Sequence, residues 1–300
     1  MKTNIIYTIS KNHLCMILML IVVLKINAQT YTDKLVREFS FAKASTQNTL
    51  IVGNINGAIH VVGYDGAKIL IEVERTIKAN TNERIELGKK EIQLTTEDLL
   101  DTLIVSASER CNKFQFIKDD GKKRWAYNWD CKKGDCTIPY SYTMNFKIKV
   151  PFAINVAVST INEGDVLIEK VTGLVKANNV NGHIKLTSLK RATEAHTING
   201  NVYLEYEGNP IEASKFYTLN GDINASFQKG LAANLSFKSF QGELLTNLNE
   251  LESLPSVIEK EPYKDGVKYK VKNSRFKVSK GGSNLDFETF NGNVILKERK

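Results

Sequence analysis

The chain has 300 residues, 42% hydrophobic and 25% charged, with a formal net charge of +8. These fractions are ordinary for a folded soluble protein, and the length allows one or two domains. The basic residues are spread along the chain with no clustered basic face or known binding motif, which excludes a typical nucleic-acid binder.

The first 28 residues read as a signal peptide. Lys2 and Lys11 form a basic start, Leu14 to Leu24 an unbroken apolar run, and Ile26-Asn27-Ala28 a small-residue end. The run is too short to span a bilayer comfortably, although an uncleaved anchor flanked by Lys25 is the alternative. Cys15 lacks small residues before it and does not look like a lipoprotein cysteine. Removing Lys2, Lys11 and Lys25 lowers the net charge from +8 to +5. No later segment is apolar enough to span, so the mature chain is expected in the periplasm, at the cell surface or secreted.

A single phrase then recurs. Thr, Ser or Asn is followed by an apolar residue, Asn or Gln, and Gly, ending at Gly57, Gly182, Gly200, Gly221, Gly242 and Gly292. Thr160-Ile161-Asn162-Glu163-Gly164 is a seventh copy with one extra residue. From Gly164 to Gly242 the copies return every 18 to 21 residues. Apolar residues alternate on both sides of each glycine, so two short strands flank a tight Asn-Gly turn. A fixed turn at this period predicts an all-β fold, a parallel β-solenoid of stacked coils over residues 29–300.

Stacking makes the columns readable. Thr160, Asn179, Thr197, Thr218, Ser239 and Thr289 form one polar ladder. Asn181, Asn199, Asn220, Gln241 and Asn291 form an amide ladder bonded coil to coil. The apolar columns five and two residues before each glycine, such as Phe237 with Phe240 and Phe287 with Phe290, are expected to fill the interior.

Three segments depart from the repeat. Residues 64–150 separate the first coil from the rest, with strands at Ile69–Val73 and Leu103–Val105, a short helix then a strand within Asn80 to Leu94, and a strand at Met144–Val150. Within this stretch, residues 108–140 read as a protruding loop bearing cysteines and aromatics. Residues 246–281, with Leu254-Pro255, Glu261-Pro262 and a strand Val267 to Val271, read as a lateral excursion before the last coil.

The phrase resembles that of the bacterial putative-adhesin domain of unknown function, a β-solenoid family related to the head GIN adhesin domains. The resemblance covers residues 48–300 and is carried by Thr49-Leu50-Ile51-Val52, Gly63-Tyr64-Asp65-Gly66, Ile148-Lys149-Val150-Pro151 and the glycine turns. It implies architecture and brings no catalytic residues.

Three candidate sites remain. Cys111, Cys131 and Cys136 hold one disulfide in an oxidising compartment, with the pairing open and one thiol left over. Trp125, Tyr127 and Trp129 lie at alternate positions and put one strand face against a partner, or pin the loop to the stack as a mini-core. The column after the glycines contains Asp165, His183, Asn201, Asp222 and Glu243. Asp222 and Glu243 are expected as neighbours, able to share a cation or act as paired carboxylates on a glycan, unless they simply finish their turns. His60, His183 and His196 point outward, and His183 with His196 lacks a third metal ligand. No nucleophile elbow, phosphate loop or cofactor fingerprint is present.

The leading expectation is a non-enzymatic exported binding, adhesion or envelope-structural module without cofactor, meeting a protein or glycan partner at the envelope. The alternatives are a glycan-active enzyme using the acid column and a periplasmic accessory of a signalling system.

Overall fold

The computed structural model describes residues 29–119, 122–129, 136–264, 266–271 and 273–299. Residues 1–28, expected to be a signal peptide, and Cys131 lie outside these residues. The fold is all-β, with one helix among the described residues.

The chain opens with β1 (Gln29–Phe39), which sequence reading missed, then β2 (Thr49–Gly53), β3 (Ile59–Tyr64) and β4 (Ile69–Ala79). The expected helix is α1 (Asn82–Glu91), capped by the Thr81 hydroxyl accepting from the Arg84 N–H. After it come β5 (Gln93–Leu99), β6 (Thr102–Ser108), β7 (Asn112–Asp119), β8 (Lys122–Trp129) and β9 (Ser141–Pro151). Within the segment 108–140, expected as a protruding loop, β7 and β8 pair as an antiparallel hairpin.

The repeat region follows as β10 (Asn155–Ser159), β11 (Val166–Glu169), β12 (Val175–Asn178), β13 (Ile184–Leu189), β14 (Thr193–Asn199) and β15 (Val202–Tyr206). It continues with β16 (Ser214–Asn220), β17 (Ile223–Phe227), β18 (Ala233–Lys238) and β19 (Leu244–Thr246). The excursion holds β20 (Leu251–Leu254), β21 (Ile258–Tyr263), β22 (Gly266–Val271) and β23 (Ser274–Val278), before β24 (Ser283–Asn291) and β25 (Val294–Glu298).

Each glycine turn divides its two strands between two sheets. One sheet runs β1-β4-β9-β3-β11-β13-β15-β17-β25-β19, and the other β20-β23-β18-β24-β16-β14-β12-β10-β2-β6-β5. Strands from successive repeats pair in parallel, while β1, β4 and β5 at one end and β20 and β23 at the other pair antiparallel. Neither sheet closes on itself. The core lies between the two sheets, where matching columns meet: Phe216 packs on Phe287 at 5.0 Å between ring centres, and Tyr206 on Phe227 at 5.3 Å.

The turns explain the repeated phrase. Thr160, Thr197, Thr218 and Thr289 are buried, and their hydroxyls donate to the carbonyls of Gly57, Gly182, Gly200 and Gly221 at 2.7–3.2 Å. The hydroxyl column is thus bonded to the neighbouring turn's backbone rather than to itself, which satisfies a carbonyl facing the interior. Gly221 has φ +153°, and a β-carbon there would strike the Gly200 carbonyl, so only glycine permits this approach. The exposed amide ladder forms as expected: Asn181, Asn199, Asn220 and Asn291 each donate to the Asn of the adjoining turn at 2.8 Å.

Two expectations are corrected. Apart from the buried Ile55, the column two residues before each glycine does not fill the interior. Val180, Ile198 and Leu219 are half-buried along the turn edge, and Phe290 and Phe240 are exposed, stacked at 4.7 Å. The buried threonine beside them already occupies the interior, which turns the next side chain outward. The stacking order also departs from chain order. The last coil, β24–β25, lies between β16–β17 and β18–β19 in both sheets. This leaves β18 flanked by β24 on one side and antiparallel β23 on the other, so the excursion closes an edge that parallel stacking would leave open.

Candidate functional site

The hairpin β7–β8 is amphipathic because its register pairs like with like. Phe114 faces Tyr127 and Phe116 faces Trp125 on one side of the ribbon. Ring centres lie 5.1 Å apart for Phe114–Tyr127, 5.5 Å for Phe116–Trp125 and 6.0 Å for Phe114–Trp125. Trp125 and Tyr127 thus join one aromatic cluster. The side chain of Trp129 lies outside the described part of the strand.

The cluster has two halves. At the base, the Tyr127 hydroxyl donates to the Ala107 carbonyl at 2.7 Å, and burial pushes its phenol pKa well up. Phe114 lies on Gly53, where a β-carbon would sit 2.6 Å from the ring. Gly53 therefore makes room for the hairpin on the outer face of β2. Ile51 and Ile104 on the same face are buried as well. Further out, Phe116 is 44% exposed and Trp125 half-buried. Pinning accounts for the inner pair and leaves the outer pair available for contact.

Polar groups fix the hairpin's root. Cys111 bonds to Cys136, with Cα atoms 5.9 Å apart. Glu109 accepts from the Tyr142 hydroxyl at 3.2 Å and from the Asn112 amide at 3.3 Å. Burial raises the Glu109 carboxyl pKa, and these two hydrogen bonds partly oppose the rise. Tyr140 donates to Glu91 at 2.7 Å, tying the segment after the disulfide to the end of α1. A hollow of about 310 Å³ on the sheet, lined by Lys185, Tyr203, Glu205 and Asn224, holds none of the expected site residues.

The acid column is rearranged by the intercalated coil. Asp222 and Glu243 are not neighbours, because Asn293 stands between them. The Asn293 N–H donates to the Asp222 carboxylate at 2.8 Å, and the Glu243 N–H donates to the Asn293 side chain at 2.9 Å. Two strand spacings, about 9.6 Å, separate the two acids' positions. The same role recurs along the column. Asp165 accepts from the His183 N–H at 2.7 Å, His183 Nδ1 from the Asn201 N–H at 2.8 Å, and Asn201 from the Asp222 N–H at 2.9 Å. A short acceptor is needed at each step, so Asp, Asn and His interchange. Among the described residues no group of three His, Cys, Asp or Glu side chains could hold a metal ion. His183 lies in the turn just before β13 and His196 on β14, where it packs edge-on against Tyr217 at 4.4 Å.

No protein-family model matches the chain, and no curated protein matches it. Two solved structures resemble it remotely. One is described as a putative cell adhesion protein from Clostridium sporogenes, 11% identical, with TM-score 0.44 over 90% of this chain and 100% of that one. The other is a putative adhesin from Bacteroides fragilis, 12% identical, with TM-score 0.34 over 89% of this chain and 97% of that one.

Proposed function

We propose that the chain is an exported, non-enzymatic binding or adhesion module of the cell envelope, built as one β-solenoid of 18–21-residue coils over residues 29–300 behind a signal peptide at 1–28. The parallel pairing of successive repeats in two sheets supports the solenoid reading. Asp222, one of the two acids that would serve an enzyme, accepts a backbone N–H within the stack as Asp165 does, which supports a scaffold role for the turns.

The observation that carries the binding role is the divided aromatic cluster. The protein holds Phe114 and Tyr127 against its own sheet and leaves Phe116 and Trp125 at the surface, in a disulfide-anchored ribbon. Rigid aromatic side chains on a braced hairpin are suited to contact at low entropic cost. The partner is an envelope protein or glycan.

Protease treatment of intact cells tests the location: a surface protein is degraded and a periplasmic one is spared. Immobilised protein incubated with solubilised envelope fractions tests the site. Replacing both Phe116 and Trp125 by Ala is expected to abolish capture while the circular dichroism spectrum is kept. Undiminished capture by this folded variant would remove the hairpin as the contact.

A further inference from the structure

The two irregular segments lie on one side of the molecule. The hairpin covers the outer face of β2 and β6, at one end of the eleven-stranded sheet. At the other end Asn273, just before β23, donates to the Ser236 hydroxyl on β18 at 2.9 Å. Between them the outer faces of β12, β14, β16 and β24 form a shallow trough of about 440 Å³, with Asn273 on its rim. Its floor is made of columns. One contains Lys176, Glu194, Lys215 and Asp286, and the other Asn178, His196, Tyr217 and Glu288.

The trough's chemistry is specific in three respects. Its charges nearly balance: Lys176 and Lys215 in the lining stand against Glu194, Asp286 and Glu288, and Lys238 beside the trough pairs with Glu288. Partial desolvation of its ring, with the nearby Lys176 charge, lowers the His196 pKa from its ordinary value and favours the neutral imidazole. The outer groups are already spent on one another, with Lys176 paired to Glu194 at 2.7 Å and Lys238 paired to Glu288. The central groups are not. Lys215 and Asp286 are register partners on adjacent strands, yet among the described residues neither forms an ion pair or a side-chain hydrogen bond. They flank Tyr217, whose ring meets His196.

We infer that this trough is a binding site for a neutral, extended glycan lying across the strands, with Lys215, Asp286 and Tyr217 as its main contacts. A peptide strand would need free backbone groups, and here the parallel ladders on both sides of β14 and β16 consume them. An acidic polymer would need a net positive field, and the charges nearly cancel. Sugar hydroxyls match an unspent ammonium and carboxylate side by side, and a pyranose face matches the tyrosine ring. The coil spacing of about 4.8 Å is close to the length of one sugar unit, so an extended glycan across the strands meets successive coils with successive units. The inference is independent of the hairpin and names a different surface.

The test is calorimetric titration of the full mature chain with soluble hexasaccharides of cellulose, xylan, mannan and chitin, beside an acidic oligogalacturonate of the same length. At least one neutral hexasaccharide is expected to bind. Tyr217→Ala and Asp286→Ala are each expected to weaken it tenfold or more without shifting the melting temperature, since both side chains face out. Trp125→Ala is expected to leave it unchanged. The site is overturned if no neutral hexasaccharide binds, if only the oligogalacturonate binds, or if binding survives both trough variants. Loss of binding in Trp125→Ala alone would move the glycan to the hairpin and also overturn the trough.

Discussion

The Asp33 carboxylate on β1 takes two hydrogen bonds from the Arg75 guanidinium on β4, from Nε at 2.9 Å and from Nη2 at 2.6 Å. Arg75 is buried and donates also to the carbonyls of Lys89 and Ile92, beyond β4. One side chain therefore ties the first strand to the end of α1. Its hydrogen bonds and charge hold the Asp33 carboxyl below its ordinary value of 3.8. A lowered folded value gives stability that is fully present above the unfolded pKa and is lost as pH falls through 3.8 toward the folded value. Arg75→Met is expected to destabilise by about 3 kcal/mol at pH 7, because it leaves a partly buried carboxylate unpaired. Urea titrations between pH 2 and pH 7 check both points: the wild-type loss below pH 4 should shrink in Asp33→Asn.

The order of the coils is testable by cross-linking. Asn220 and Asn291 face each other at 2.8 Å between side-chain atoms, whereas Gln241 lies one coil beyond Asn291. In a chain carrying Cys131→Ser, the pair Asn220→Cys with Asn291→Cys is expected to close a disulfide on mild oxidation. The pair Asn220→Cys with Gln241→Cys is expected to stay reduced. Peptide mapping under non-reducing conditions distinguishes them, and the opposite result would restore chain order to the stack.

Threonine and phenylalanine substitutions separate interior from edge. Thr218→Val removes the donor to the Gly200 carbonyl and should cost about 1–3 kcal/mol, whereas Asn220→Ala on the exposed ladder should cost less than about 1 kcal/mol. Phe287→Ala should cost about 3–5 kcal/mol, because the ring is 1% exposed against Phe216. Phe240→Ser, at 71% exposure, should be close to neutral. Equal losses at Phe287 and Phe240 in chemical denaturation would contradict the outward turn column.

The disulfide brace gives a fourth expectation. Cys111 and Cys136 enclose the hairpin with a sequence separation of 25, for which loop closure contributes about 3 kcal/mol. Reduction is expected to open residues 112–129 to limited proteolysis first. The repeat region should keep its amide-exchange protection under the same conditions, since its ladders do not involve the hairpin.

What could be read from the sequence was set by local chemistry. Thr218-Leu219-Asn220-Gly221 specifies its own turn, so the two strands per repeat and the amide ladder were legible. The neighbour of Asp222 was not, because it is chosen by pairing across a long excursion, and Phe287 and Phe237 fit the same column equally well. The pattern also could not tell an inward phenylalanine from one at the turn edge: Phe287 and Phe290 look alike until the Thr289 hydroxyl is seen bonded inside. β1 escaped notice because an edge strand with one polar face alternates Tyr31, Asp33 and Leu35, not a run of aliphatics. The aromatic spacing pointed to Trp125 and Tyr127. Nothing in it said that Gly53, far upstream, receives Phe114 and so decides which rings remain outside.

The intercalated last coil also sets how the molecule acquires its fold. Most turns meet a partner 18 to 21 residues away, and such contacts close quickly. Asp222 must instead wait for Asn293, 71 residues on, and the coil ending at Gly242 has no parallel partner until then. An early chain carries a vacancy bordered by two exposed strand edges, and whichever coil enters it first decides the order. Filling that vacancy, like the pairing of β2 with β10 across the segment between them, closes a long loop, and such closures rather than the zipping of the regular turns are expected to limit folding.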